Sequence, residues 1–169
     1  MKLKTDFVTN SSSSSFIVVW PNKVEELEDV TKYIKNPTHA QIIFRDILDQ
    51  SAKKVDLQDH VFLRDVSSKI EEGHVMGIST NHTDFKEKYA KMHNVKVRDI
   101  DHEWSNQFWE AYTNESRKRA TTGAIEFLKP YGGQYVYFFN YADEIGGVFV
   151  ELEHENDWGG LPHIRVNKH

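Results

Sequence analysis

The chain has 169 residues, 38% of them hydrophobic and 28% charged, with a formal net charge of −5 and a pI near 6.0. This balance excludes a disordered chain and supports a single domain over residues 1–169 with a buried core. There is no cysteine, which excludes disulfides and thiolate metal centres and fits a cytoplasmic protein. The acidic balance argues against nucleic-acid binding.

Five serines, Ser11 to Ser15, lead into Phe16 to Trp20, an apolar run rich in β-branched and aromatic residues that reads as a strand. The run is too short for a signal peptide or a membrane span and stops at Pro21, so no membrane association is expected. Serine hydroxyls and turn amides can cradle an anion. A phosphate loop, however, needs glycines, a lysine and a following helix, whereas here a strand follows. The tract is therefore expected to be an ordered bridge at the sheet edge, its hydroxyls bonded locally to the backbone.

Asn22, with Glu25 three residues on, is expected to cap a first helix carrying Val24, Leu27, Val30 and Ile34 inward, ending at Asn36-Pro37. The stretch "THAQ" from Thr38 reads as the capping box of a second helix that buries Ile42, Ile43, Ile47 and Leu48. A third is expected from Leu57 to Glu72, with Asp56 as cap and Gly73 as stop. "HVMGIST" from His74 reads as a short strand, and a fourth helix follows Thr83. A long helix starts near Asp101, where Ile100, Trp104, Phe108, Tyr112, Ser116, Ala120, Ala124 and Leu128 form one row at fourfold spacing, broadened by Trp109, Ala111 and Phe127. Its large aromatics are expected to pack on the sheet. Gly123 marks a kink or restart, and "KPYGG" ends the helix. The cationic "RKR" at Arg117 to Arg119 reads as a solvated face.

The last third changes period. "QYVYFFNYA", "GVFVELEHE" and "HIRVN" read as strands joined by "DEIGG" and "NDWGGLP". A lone strand at Phe16 to Trp20 needs partners, so it is expected to join Tyr135 to Tyr141. The fold class is α+β: an antiparallel sheet made from the N-terminal strand plus a C-terminal β-meander, with a mostly helical middle of about five helices packed on one face.

The opening "KTDFVTNSSSSSF", Lys4 to Phe16, resembles that of a scattered group of short, uncharacterised proteins of anaerobic Gram-positive bacteria and their phages. The ending "LEHE…LPHIRVNKH" is similar to the ends of some of them. The resemblance implies an accessory role in a bacterium or phage, and no particular activity, fold or cofactor.

Two sets of candidate site residues emerge. Tyr135, Tyr137, Phe139 and Tyr141 share one face of a strand and, where exposed, would form a row of rigid amphipathic anchors for a protein partner. His154 and His163, with Glu153 and Asp157 nearby, could ligate zinc or manganese if the last turn brings the two strands together. The remaining histidines form no motif: His60 and His102 fall on expected helices, and His74 and His82 flank the short middle strand. "HIRV" lacks the hydroxyl and the second repeat of a two-histidine phosphoesterase, and no nucleophile elbow, Walker loop or zinc-protease motif is present. The favoured reading is a binding or interaction module without a cofactor. The alternative is a small metal-assisted hydrolase acting on a phosphorylated or nucleotide substrate, with His154, His163 and Glu153 as ligands or base.

Overall fold

β1 (Ser13–Trp20) lies inside a four-stranded antiparallel sheet of order β2-β3-β1-β4, with β2 (Lys53–Lys54), β3 (Tyr135–Ala142) and β4 (His163–Asn167). The structure, a computed structural model, describes residues 13–103, 105–142, 152 and 158–168. Around the sheet stand α1 (Leu27–Thr31), α2 (Pro37–Leu48), α3 (His60–Glu71), α4 (His82–His93), α5 (Val97–Glu103) and α6 (Ser105–Leu128), the last followed by a 3-10 turn at Lys129–Tyr131. The fold is α+β, and the N-terminal strand joins the C-terminal strands as the lone-strand argument requires. Phe16 is registered with Phe139 on one side and Arg165 on the other.

The helices cover both faces of the sheet, not one. Phe16, Val18 and Trp20 pack with Tyr137, Phe139, Tyr141 and Trp158 beneath α1 and α2. Ile17 and Val19 pack with Val136, Ile164 and Val166 beneath α3 and the C-terminal half of α6. The physical signal was in the strand itself: "FIVVW" is apolar at every position, the pattern of a strand buried on both faces. A one-sided strand would alternate.

The end of the serine tract is likewise interior. Ser14 and Ser15 are buried in β1 between β3 and β4, so Ser13 to Ser15 continue the central strand instead of lying at an edge. Their hydroxyls are held across the ladder, Ser15 donating to Asn140 Oδ1 at 2.5 Å and Ser14 accepting from Arg165 Nε at 3.2 Å. Extended backbone at these residues forms no anion nest. Ser11 and Ser12 lie outside the described residues.

Several helix starts move. Asn22 caps nothing; α1 begins after Glu26, which with Asp29 makes the capping box. α2 is capped by Asn36, whose side chain accepts from the backbone N–H groups of Thr38 and His39, with Pro37 in the first turn. Asp59, not Asp56, caps α3. Residues 74–80 are not a strand: a single bridge ties His74 to Asn167, and the rest is turn. The sheet's outer edge is completed by a side chain. The Gln50 amide donates to the Phe138 carbonyl at 2.9 Å and accepts from the Phe138 N–H at 2.8 Å, standing in for a peptide beyond the two-residue β2.

α6 divides its stripe between two partners. Ala120, Ala124 and Leu128 face the sheet and α3. Phe108 is buried in a separate lobe with Tyr89, Ala90 and Ile100, and Tyr112 packs on that lobe, so neither aromatic reaches the sheet. Trp104 lies outside the described residues. Gly123 leaves the helix unbroken; it admits Ile78, whose side chain would stand 2.7 Å from an added Cβ. The strand expected over Val148 to Glu155 falls outside the described residues except for Leu152, which is helical and buried in the aromatic core.

Candidate functional site

The tyrosine strand does not form a surface. Tyr137, Phe139 and Tyr141 are only 1%, 2% and 3% exposed, and Tyr135 alone is half-buried. The face points into the aromatic core, where Tyr137 meets Trp20 edge-on at 5.8 Å and Phe139 lies 5.0 Å from Trp158. The hydroxyls are satisfied within the protein. Tyr137 accepts from the Val24 N–H at 3.0 Å, and Tyr141 donates to Asp46 at 3.1 Å. Burial pushes both phenols above the ordinary tyrosine range, Tyr141 by far the more, where Asp46 adds to the effect. Burial likewise raises the Asp46 carboxyl, outweighing the Tyr141 hydrogen bond.

Of the metal-ligand candidates, His154 and Glu153 lie outside the described residues, as does Asp157. His163 sits on β4, half-buried, with Nδ1 2.8 Å from the Leu161 carbonyl, which accepts the proton carried there. Among the described residues no group of three or more histidine and carboxylate side chains converges. Among the described residues no helix is long and apolar enough to cross a membrane.

A concavity rich in hydroxyls lies on the opposite face, between the end of α3, the segment 73–80 and α6. It encloses about 280 Å³, and five of its ten lining residues carry hydroxyls: Ser79, Thr80, Tyr112, Thr113 and Ser116. The α6 stripe explains why space remains there. Tyr112, Ser116 and Ala120 follow one another at fourfold spacing, so the row drops from a large ring to two small side chains. Ala120 and Ala124 let α6 settle against α3, while Ser116 leaves the gap unfilled.

Segment 73–80 is held over this gap as a strap. Its first residues are pinned to β4: the His74 N–H donates to the Asn167 carbonyl at 2.7 Å, and the Asn167 N–H returns a bond to His74 at 2.9 Å. Gly73 must be glycine for that approach, because a Cβ would lie 2.1 Å from the Asn167 oxygen. Within the strap, the Val75 N–H donates to Ser79 Oγ at 2.8 Å and the Ser79 N–H to the Val75 carbonyl at 2.9 Å, closing a tight turn. Ile78 enters the notch at Gly123, and the Tyr112 hydroxyl donates to the Thr80 carbonyl at 3.2 Å, fixing the far end to α6.

One residue of this lining carries an unspent bonding capacity, on a hydroxyl oxygen that is itself closed to solvent. Thr80 is only 9% exposed and its Oγ1 has no hydrogen-bond partner, one of two such buried side-chain atoms among the described residues. The other, Trp158 Nε1, belongs to the aromatic core. A buried hydroxyl without a partner costs roughly 1–3 kcal/mol. Glu71 brings the one carboxylate among the described lining residues, and it stands 3.9 Å from Arg117 Nε at the surface. Elsewhere "RKR" is the solvated face expected, while Trp109 departs from expectation: it is 51% exposed and stacks on His82 at 5.3 Å.

None of the cavity residues formed a sequence motif, because they come from three elements spread over 50 positions from Ile70 to Ala120. The only local signal was the loss of side-chain size along the α6 row. Comparison of the chain with protein-family models, curated proteins and solved structures finds no match in any of the three.

Proposed function

We propose that this protein is a binding module whose ligand is a small molecule held in the cavity between α3, the strap and α6. The observation that carries the reading is Thr80, a lining residue of a hydroxyl-rich cavity of about 280 Å³ whose buried hydroxyl has no partner in the fold. Unspent buried polar groups are costly, and a ligand group that completes the bonding recovers that cost. The lining supports binding over catalysis. Glu71 is accompanied by neither a histidine nor a second carboxylate there, and proton transfer or nucleophile activation calls for such a pair. A non-catalytic role agrees with the accessory character that the opening's resemblance implies. A protein partner would have to dock elsewhere than on the tyrosine strand, three of whose four residues are buried.

The test is a titration of isotope-labelled protein with a set of uncharged fragments, followed by amide chemical shifts. The reading expects saturable shifts at Thr80, Tyr112 and Ser116, and their loss when Ser116→Phe fills the space. Shifts confined to other surfaces, or unchanged by the filling variant, would remove the cavity as the binding site.

A further inference from the structure

We infer that the ligand of the cavity is a neutral polyhydroxylated molecule of monosaccharide size, a sugar or cyclic polyol; the inference rests on the cavity being the binding site. Size gives the first bound. Cavities for drug-sized ligands run from about 300 to 1,000 Å³, and this one holds about 280 Å³. One ring with its substituents fits, and a dinucleotide or a peptide segment does not.

Bonding capacity gives the second. A hydroxyl donates one hydrogen bond and accepts two, so a hydroxylated ligand matches a hydroxylated wall in either direction. Ser79 Oγ is already engaged by the Val75 N–H, and the Tyr112 proton by the Thr80 carbonyl. Thr80 Oγ1 has its full capacity in hand, and Thr113 and Ser116 add two more hydroxyls. The Glu71 carboxylate accepts only, which suits ligand O–H groups. A wholly apolar ligand would leave Thr80 as unsatisfied as the fold alone leaves it.

Charge gives the third. Among the described lining residues there is no lysine or arginine, and the only charged side chain is the Glu71 carboxylate. A phosphate or carboxylate ligand would be desolvated beside the Glu71 carboxylate, whose counterion Arg117 stands at the surface outside the lining. A cation would compete with Arg117 for Glu71. The remaining wall is apolar, formed by Ile70, Ile78 and Ala120 with the Tyr112 ring. It offers contact to the C–H face of a ring whose rim carries the hydroxyls.

Amide-shift titrations with D-glucose, D-galactose, D-ribose and myo-inositol, and with glucose 6-phosphate as the charged counterpart of glucose, test the assignment. The expected result is saturable binding of at least one neutral compound at Thr80, Tyr112 and Ser116. Glucose 6-phosphate should bind at least about tenfold more weakly than glucose. Thr80→Val, which keeps the side-chain shape, should weaken the neutral ligand at least about tenfold by leaving its hydroxyl unpaired. Ser116→Phe should abolish binding, with Ser116→Leu used if the larger side chain prevents folding. Equal affinity for glucose 6-phosphate, or binding indifferent to both Thr80→Val and the filling variant, would overturn the inference. If sugars and polyols are silent while the uncharged fragments still shift these amides, the ligand class is wrong and the cavity stands. If both sets are silent, the cavity falls with it.

Discussion

The phenolic oxygen of Tyr137 accepts a 3.0 Å hydrogen bond from the backbone N–H of Val24, joining the middle of β3 to the segment that leads into α1. Sequence separates the two by 113 positions, and the bond turns a tyrosine that alternation alone would place on either face into an anchor of the aromatic core. Tyr137→Phe keeps the ring packing and leaves the Val24 N–H buried without a partner. Urea unfolding should show a loss of roughly 1–3 kcal/mol. A loss below about 0.5 kcal/mol, the range of an ordinary surface change, would mean that water replaces the phenol and that the anchor is dispensable.

Gly159 and Gly132 form a matched pair of glycine tests. Gly159 has φ +61, and a Cβ there would stand 2.0 Å from the Tyr33 carbonyl oxygen. Gly132 has φ −50 and open space around it. Gly159→Ala should cost more than the roughly 1–3 kcal/mol of a strained backbone alone, whereas Gly132→Ala should be neutral or slightly stabilising. Similar melting midpoints for the two variants would contradict the packing of Gly159 against Tyr33.

Phe108 belongs to the lobe of α4, α5 and the start of α6, with ring centroids 5.4 Å from Tyr89 and 5.7 Å from Phe85. Phe108→Ala should remove roughly 3–5 kcal/mol of packing from that lobe. Hydrogen exchange should therefore accelerate across residues 82–93 while β1 amides keep most of their protection. Equal acceleration in β1 would show that the lobe and the sheet unfold as one unit.

Asp46 predicts a pH dependence of unusual sign. Burial raises its carboxyl pKa in the fold despite the Tyr141 hydrogen bond, so the folded state holds the proton more tightly than the unfolded chain. The stability from this group is complete below the unfolded carboxyl pKa and is lost as pH rises through the raised folded value. Asp46→Asn, neutral throughout, should gain on the parent as pH rises through the acid range and then level off. Urea unfolding at a series of pH values reads this directly. A variant that loses ground with rising pH would show the carboxylate to be the favoured form.

The sheet was legible in the sequence because Phe16 to Trp20 is apolar at each position and has no local partner, which left the C-terminal strands as its neighbours. The same five residues also carried the two-sided burial, yet a meander with helices before it suggested a one-sided sheet. Capping residues moved by two to four positions because several residues near each start could accept from the first-turn amides; Pro37 settles one case by fixing the first turn after Asn36. Segment 74–80 looked like a strand through Val75 and Ile78, but Gly77, at φ +80, turns the chain, and Ile78 leaves for the notch at Gly123. The tyrosine alternation identified a face correctly and its surroundings wrongly, since the second layer of helices is set by contacts distant in sequence. The cavity could not be read at all beyond the small residues of α6, because it exists only where three elements fail to fill the space between them.

The stability of Thr80→Val tests the account most directly. Valine keeps the shape of threonine and removes the hydroxyl, whose oxygen has no partner in the fold. If that hydroxyl serves a ligand and not the fold, the variant should be as stable as the parent or more stable, by up to about 1–3 kcal/mol, when unfolded in urea without added ligand. A loss of 1 kcal/mol or more, on the order of one hydrogen bond, would show that Thr80 Oγ1 is bonded within the native structure. The case for a ligand site at the cavity would then be gone.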